Sequence, residues 1–217
     1  MKIQELLLLT NNISETKLFY SQTIGFDIVK ETKKSISFIV GTSKLTFELT
    51  DIKHSPKYHF AFNIPSNKIE EALEWILQKT NLIFAENSYV TEFDNWRAKA
   101  IYFFDNNKNI LELISRSDLN NNNDNPFSIE QILNINEIGL VTDMPIQTGN
   151  EIIHQKEIDF FMKGPRKDDF VAVGCDDALF VISSPNRSWY PTQEKAEKWK
   201  VRATINIANK EYELEYN

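Results

Sequence analysis

Ile3-Gln4-Glu5-Leu6-Leu7-Leu8-Leu9-Thr10 near the start of the chain and Ile135-Asn136-Glu137-Ile138-Gly139-Leu140-Val141-Thr142 in its second half share isoleucine, glutamate, leucine and threonine at the same offsets. Both stretches are short apolar runs, far too short to span a bilayer as a helix and of the length of a buried strand. A repeated first strand implies a repeated unit, and the residues after the first copy supply the rest of it. Asn12 is a good N-cap for a helix over 12–23, with Glu15 three residues on and Gly25 placed to end it. Strand-like runs follow at 26–32, 35–40 and 44–50, the last two joined by the turn Gly41-Thr42-Ser43. The unit therefore reads strand, helix, strand, strand, strand (βαβββ).

Residues 58–116 repeat this order. A strand over 58–64 leads into a helix opened by Pro65-Ser66, in which Ile69, Ala72, Leu73, Ile76 and Leu77 form one apolar face. Strands are expected at 82–85, 99–104 and 110–114, with Asp105-Asn106-Asn107 turning into the last. The stretch Ser117-Asp118-Leu119-Asn120-Asn121-Asn122-Asn123-Asp124-Asn125-Pro126 is polar and aperiodic and reads as a linker over 117–127. The third copy follows. Its helix is weakened by Pro145 and Gly149 within 144–154, and its strands fall at 170–174 and 178–183. Two further strand runs, 201–207 and 212–216, lie in a tail that no unit claims. The organisation expected is a pair of units over 1–116, a linker, and a third, degenerate unit over 128–217.

Composition narrows the function. The chain has 217 residues, is 41% hydrophobic and 25% charged, and carries a net charge of −7, which suits a globular protein and not a disordered one. Lys33-Lys34 is the longest basic run, so nucleic acid is not an expected partner, and neither is a membrane. The first residues lack the pattern of a secretory leader. Cys175 is the single cysteine and has no internal partner, in keeping with a reducing, cytoplasmic setting.

Leu18-Phe19-Tyr20 followed by Ile24-Gly25-Phe26, and Phe103-Phe104-Asp105-Asn106-Asn107-Lys108-Asn109-Ile110-Leu111-Glu112-Leu113-Ile114, are specific in combination. They resemble the helix-to-strand joint and the closing signature of the vicinal oxygen chelate superfamily (glyoxalase, bleomycin resistance protein, dioxygenase). Lys108 stands where that signature usually has glycine. The resemblance implies an α+β fold of tandem βαβββ modules forming a cupped mixed sheet with helices on the convex face. It also implies a small-molecule ligand in the cup and, in many members, a divalent metal serving isomerase, lyase or ring-cleavage chemistry. The alternative is a metal-free protein that sequesters a small compound.

The resemblance places metal ligands on the first and last strands, at Glu5, Glu48, His59 and Glu112, with Glu5 also the catalytic base. Alternation supports two of these. Glu48 shares a strand face with Thr46 and Thr50, and His59 with Ala61 and Asn63, while bulky apolar residues take the other faces. One imidazole with carboxylates suits manganese, iron, nickel, magnesium or zinc. Glu137 repeats Glu5, but the third unit lacks an evident fourth to complete a ligand set, which argues for a structural role of this glutamate. Trp96 and Arg97 suit contact with a planar anionic substrate. The first strand of an unpaired third unit would leave an open edge, to be covered by the tail or by a second copy in a homodimer.

Overall fold

The computed structural model describes residues 1–216. The first unit comprises β1 (Lys2–Thr10), α1 (Ile13–Leu18), β2 (Ile28–Glu31), β3 (Ser35–Val40) and β4 (Ser43–Leu49). The second comprises β5 (His59–Ile64), α2 (Ile69–Leu77), β6 (Thr91–Phe93), β7 (Ala98–Phe104) and β8 (Ile110–Arg116). The third comprises β9 (Asn134–Val141), α3 (Pro145–Lys156), β10 (Arg166–Lys167), β11 (Phe170–Cys175) and β12 (Ala178–Ser183), and a hairpin of β13 (Val201–Ile207) and β14 (Lys210–Tyr216) follows. Asn12 caps α1 by accepting from the Glu15 amide at 3.1 Å. The helix then widens into a π turn over Phe19–Ile24 that Gly25 ends at φ 106°.

Two expectations fail locally. The expected strand over 82–85 makes only isolated bridges, Leu82 to Phe103 and Ala85 to Ser88, and the edge strand forms instead at β6. The third helix forms in full. Pro145 sits in its first turn, where a missing N–H costs nothing, and Gly149 lets the Phe160 ring approach to where a Cβ would lie 2.8 Å away.

In the three full units the first and last strands run parallel side by side, leaving one edge of the first strand free (β1 with β4, β5 with β8, β9 with β12). How these edges are used differs from the pairing expected for 1–116. β5 pairs antiparallel with β9, with Phe60 opposite Ile138 and Ala61 opposite Glu137, so the second and third units share one eight-stranded sheet, β10-β11-β12-β9-β5-β8-β7-β6. β1 pairs with β13, and the first unit joins the terminal hairpin in a six-stranded sheet, β14-β13-β1-β4-β3-β2. The three first strands carry similar apolar patterns, and nothing in alternation says which pairs with which. The polar segment after β8 docks on the start of α2. Asn121 Oδ1 accepts from the Ser66 amide and hydroxyl at 2.9 Å, and Glu71 accepts from the Phe127 amide at 2.9 Å. It thus carries the chain back beside β5. The edge expected to be covered by the tail or by a second copy is occupied by β5.

The convex faces of the two sheets and the three helices form one core. Leu6, Leu8, Phe38 and Phe47 come from the first sheet, and Phe60, Phe62, Leu113, Ile138 and Phe180 from the second. A smaller apolar cluster lines the concave face of the eight-stranded sheet. Among the described residues no helix is long and apolar enough to cross a membrane.

The turn into β8 locks the first unit onto the second. The buried Asp105 carboxylate accepts from the Tyr20 hydroxyl (2.7 Å), the Asn109 amide group (2.7 Å) and the Asn107 and Asn109 backbone N–H groups (2.8 Å each). Asn107 Nδ2 donates to Thr10 (2.9 Å) and Thr16 (3.1 Å). Burial pushes the Asp105 carboxyl up in pKa, against the hydrogen bonds from Tyr20 and Asn109. Lys108 takes the left-handed conformation, φ 67°, that the usual glycine would adopt without strain. Asp105→Ala strands four donors in the interior and is expected to cost about 4 kcal/mol in urea unfolding. Asp105→Asn should cost less, because it keeps an acceptor.

Candidate metal centre

Three side chains converge on the concave face where the second and third units meet. His59 lies on β5. Glu112 on β8 and Glu137 on β9 both pair in register with Ala61 of β5, one on each side. One ligand atom from each of the three can be chosen so that all lie within 4.8 Å of one another. All three are buried, at 6%, 2% and 4% exposure. Alternation puts His59 and Ala61 on this face and Phe60 and Phe62 in the core. A bulge delivers the third ligand. The register steps from Ala61–Glu137 to Phe62–Ile135, so Asn136 is an extra residue on β9. Both Asn136 and Glu137 then meet the same guanidinium, that of Arg116.

The imidazole is set up as a ligand. Nδ1 lies 3.1 Å from the Ile110 carbonyl, which can only accept, so Nδ1 carries the proton. The Nε2 lone pair then faces Glu112 Oε2 at 3.5 Å. Burial pulls the His59 pKa down to about 4, with the Ile110 hydrogen bond opposing, and keeps the ring neutral at physiological pH. Burial pushes the Glu112 carboxyl well up, reinforced by the Glu137 carboxylate and opposed by Arg116 and Tyr102. Burial raises Glu137 as well, with Arg116 opposing. Two adjacent carboxyls in an apolar hollow are best satisfied by a cation, and a neutral imidazole beside them supplies a nitrogen donor. The donor set therefore fits a divalent ion of the harder kind, such as Mn²⁺ or Fe²⁺.

The third unit's counterpart of Glu112 is Val181, which pairs with Gly139 as Glu112 pairs with Ala61. That position thus carries no donor, and the centre opens on a cavity of about 240 Å³ that the Tyr102, Ser188 and Tyr190 side chains also line. Its walls include Phe93, Trp96, Tyr102, Phe170, Trp189 and Tyr190. Trp189 comes from the segment between β12 and β13 and stands 5.1 Å, ring to ring, from His59. Gly139, the residue at which the third first strand departs from the leucine of the first, makes room for it. A Cβ there would lie 2.8 Å from the indole.

The expected site residues separate into two groups. His59 and Glu112 are in the cluster and Trp96 lines its cavity. Glu5 and Glu48 lie on the other sheet, because the first unit pairs with the hairpin and not with the second unit. Glu5 bonds to Lys44 (2.7 Å) and Thr46 (3.2 Å), and Glu48 to Arg202 (2.7 Å). Neither reaches the cluster, so Glu5 has no place as its base. Arg97 is exposed, pairs with Asp118 at 3.1 Å, and lines a different depression. The glutamate set aside in the sequence, Glu137, is the third member. Its signal was the repeat itself, and only the β5–β9 pairing gives it partners.

No family model and no curated protein matches the sequence. Among solved structures, the chain aligns with a protein of Bacillus subtilis named as a presumed dioxygenase, with TM-score 0.61 and 16% identity over 84% of this chain. It spans 63% of that protein's length. It also aligns with lactoylglutathione lyase of Agrobacterium tumefaciens (TM-score 0.43, 16% identity, 52% of this chain and 92% of that one). A third match is the Listeria monocytogenes fosfomycin resistance protein FosX, in complex with Mn(II) and sulfate (TM-score 0.41, 18% identity, 52% of this chain and 87% of that one). The likeness to the Bacillus subtilis protein shows the fold, α+β with curved mixed sheets and few helices, as the resemblance implied.

The neutral state of His59 makes a stability prediction. The unfolded imidazole protonates near its ordinary pKa of about 6.5, the folded one only near 4. Between these values the unfolded state binds more protons, so stability falls as pH drops from about 6.5 to 4. His59→Gln should remove about 3 kcal/mol of that decline, read as the difference between urea midpoints of the two proteins across the range.

Proposed function

We propose that the protein holds a divalent metal through His59, Glu112 and Glu137 and uses it to bind and activate a small, flat compound in the adjoining cavity. The observation that carries this is the convergence of a buried neutral imidazole and two buried carboxyls beside an open hollow. A metal held so would polarise substrate oxygens or lower the pKa of a bound water. The chain's own residues do the rest. The Ile110 carbonyl fixes the imidazole tautomer, Trp189 and Tyr102 flank the ring, and the aromatic walls exclude water and hold a planar body. Isomerase, lyase or ring-cleavage chemistry fits such a site, and the fold hosts proteins named for several of these.

A second reading, metal-free binding of a small molecule, has one observation in its favour. Arg116 already gives Glu137 a cationic partner.

Manganese titration followed by electron paramagnetic resonance separates the two. Purified protein should take up one Mn²⁺ per chain. His59→Ala, Glu112→Gln and Glu137→Gln should each weaken uptake by about a hundredfold or more with the circular dichroism spectrum unchanged. Glu5→Gln and Glu48→Gln should bind as the parent does. Saturation at a hundred times Kd should stabilise the parent by about 2.7 kcal/mol. Absence of uptake by the parent, with ligand-induced stabilisation in chelator, would establish the metal-free reading.

A further inference from the structure

Arg116 is the largest fully buried side chain among the described residues. It lies on β8 four residues beyond Glu112, on the same strand face. Its Nη2 bonds to Glu137 Oε1 and its Nε to Asn136 Oδ1 at 3.1 Å. The guanidinium is within reach of the Trp96 and Phe161 rings, 5.6 and 5.5 Å from their centroids. Its Nη1 has no hydrogen-bond partner. The nearest further acid, Asp176 at 3.8 Å, is already bound to Lys163 at 2.7 Å. A permanently charged group is thus sealed beside the candidate ligands, and its charge belongs in their count.

Two carboxylates and one guanidinium leave a single negative charge, which a dication turns into a single positive one. A site of two imidazoles and one carboxylate with a dication has the same total. Without Arg116, the donor set here would be neutral when loaded. We propose that Arg116 is a positioning residue which, paired with Glu137, stands in electrostatically for one neutral ligand, so that the loaded centre keeps one positive charge and selects a monoanionic ligand. This inference rests on the metal reading above. In a buried cavity one residual positive charge is satisfied by one negative charge, and a monoanion would leave an uncompensated charge in a neutral centre. The cavity's aromatic walls add that the anion's body is flat.

Acetohydroxamate, which chelates as a monoanion and gives up its proton to solvent, is the probe. Its affinity for Mn²⁺-loaded protein is measured by calorimetry. Arg116→Met should still take up one Mn²⁺ but bind the hydroxamate about tenfold or more weakly than the parent. The double variant Arg116→Met with Glu137→His restores the single positive charge without the guanidinium. It should return hydroxamate affinity to within about threefold of the parent. A merely structural arginine would lose Mn²⁺ along with the hydroxamate, and the double variant would not recover. Parental hydroxamate affinity in Arg116→Met, or no recovery in the double variant, overturns the proposal. If Arg116→Met alone does not fold, the double variant decides by the same threshold. Failure of the parent to bind Mn²⁺ is a separate result, and it removes the metal reading together with this one.

Discussion

The antiparallel contact between β5 and β9 is the constraint on which the rest of the molecule depends. It joins the second and third units into one curved sheet, and it sets Ala61 opposite both Glu112 and Glu137. Everything chemical about the concave face follows from that register. A slip of one residue would turn Glu137 into the core and Ile138 into the hollow. The bulge at Asn136 works in the same place, since it lets two successive polar side chains of β9 meet the guanidinium of Arg116.

The two sheets use equivalent glutamates in opposite ways. Glu5 on β1 and Glu137 on β9 occupy the same position of the repeat. Glu5 is half-buried and neutralised by Lys44, a partner in contact with water. Such a pair is worth little and holds no open coordination site. Glu137 is buried against an equally buried arginine and a second carboxylate, where charge is costly and has to be balanced within the protein. The difference lies in the neighbouring unit: a complete βαβββ beside β9, and only a hairpin beside β1.

Much of this was legible in the sequence, and the rest was hidden for definable reasons. The unit order, the caps at Asn12 and Gly25 and the turn at Asp105 are local, so spacing and residue type revealed them. His59 was marked by alternation along its strand and Glu112 by the closing signature, and both signals are local. The partner of each first strand was not, because residues 3–10, 59–64 and 135–141 satisfy any such pairing equally well. That single non-local choice places the buried cluster between the second and third units, leaves Glu5 and Glu48 on the other sheet, and brings Glu137 to His59 and Glu112. The polar run after β8 was read as a spacer from its composition, whereas Asn121 and Asn123 accept from Ser66 and Asn67 ahead of α2 and the Asn123 amide donates back to Asn67. Arg116 drew no notice because a lone arginine at a strand end is ordinarily solvated, and only the fold shows it sealed.

The stretch between β12 and the hairpin serves two places at once. Residues 185–200 roof the hollow with Trp189, and the same run continues directly into β13, which covers the open side of β1. Loss of the strap would therefore strip the ceiling from the cavity and unzip the far sheet in a single event. Opening at one end and integrity at the other are mechanically joined by sixteen residues of chain.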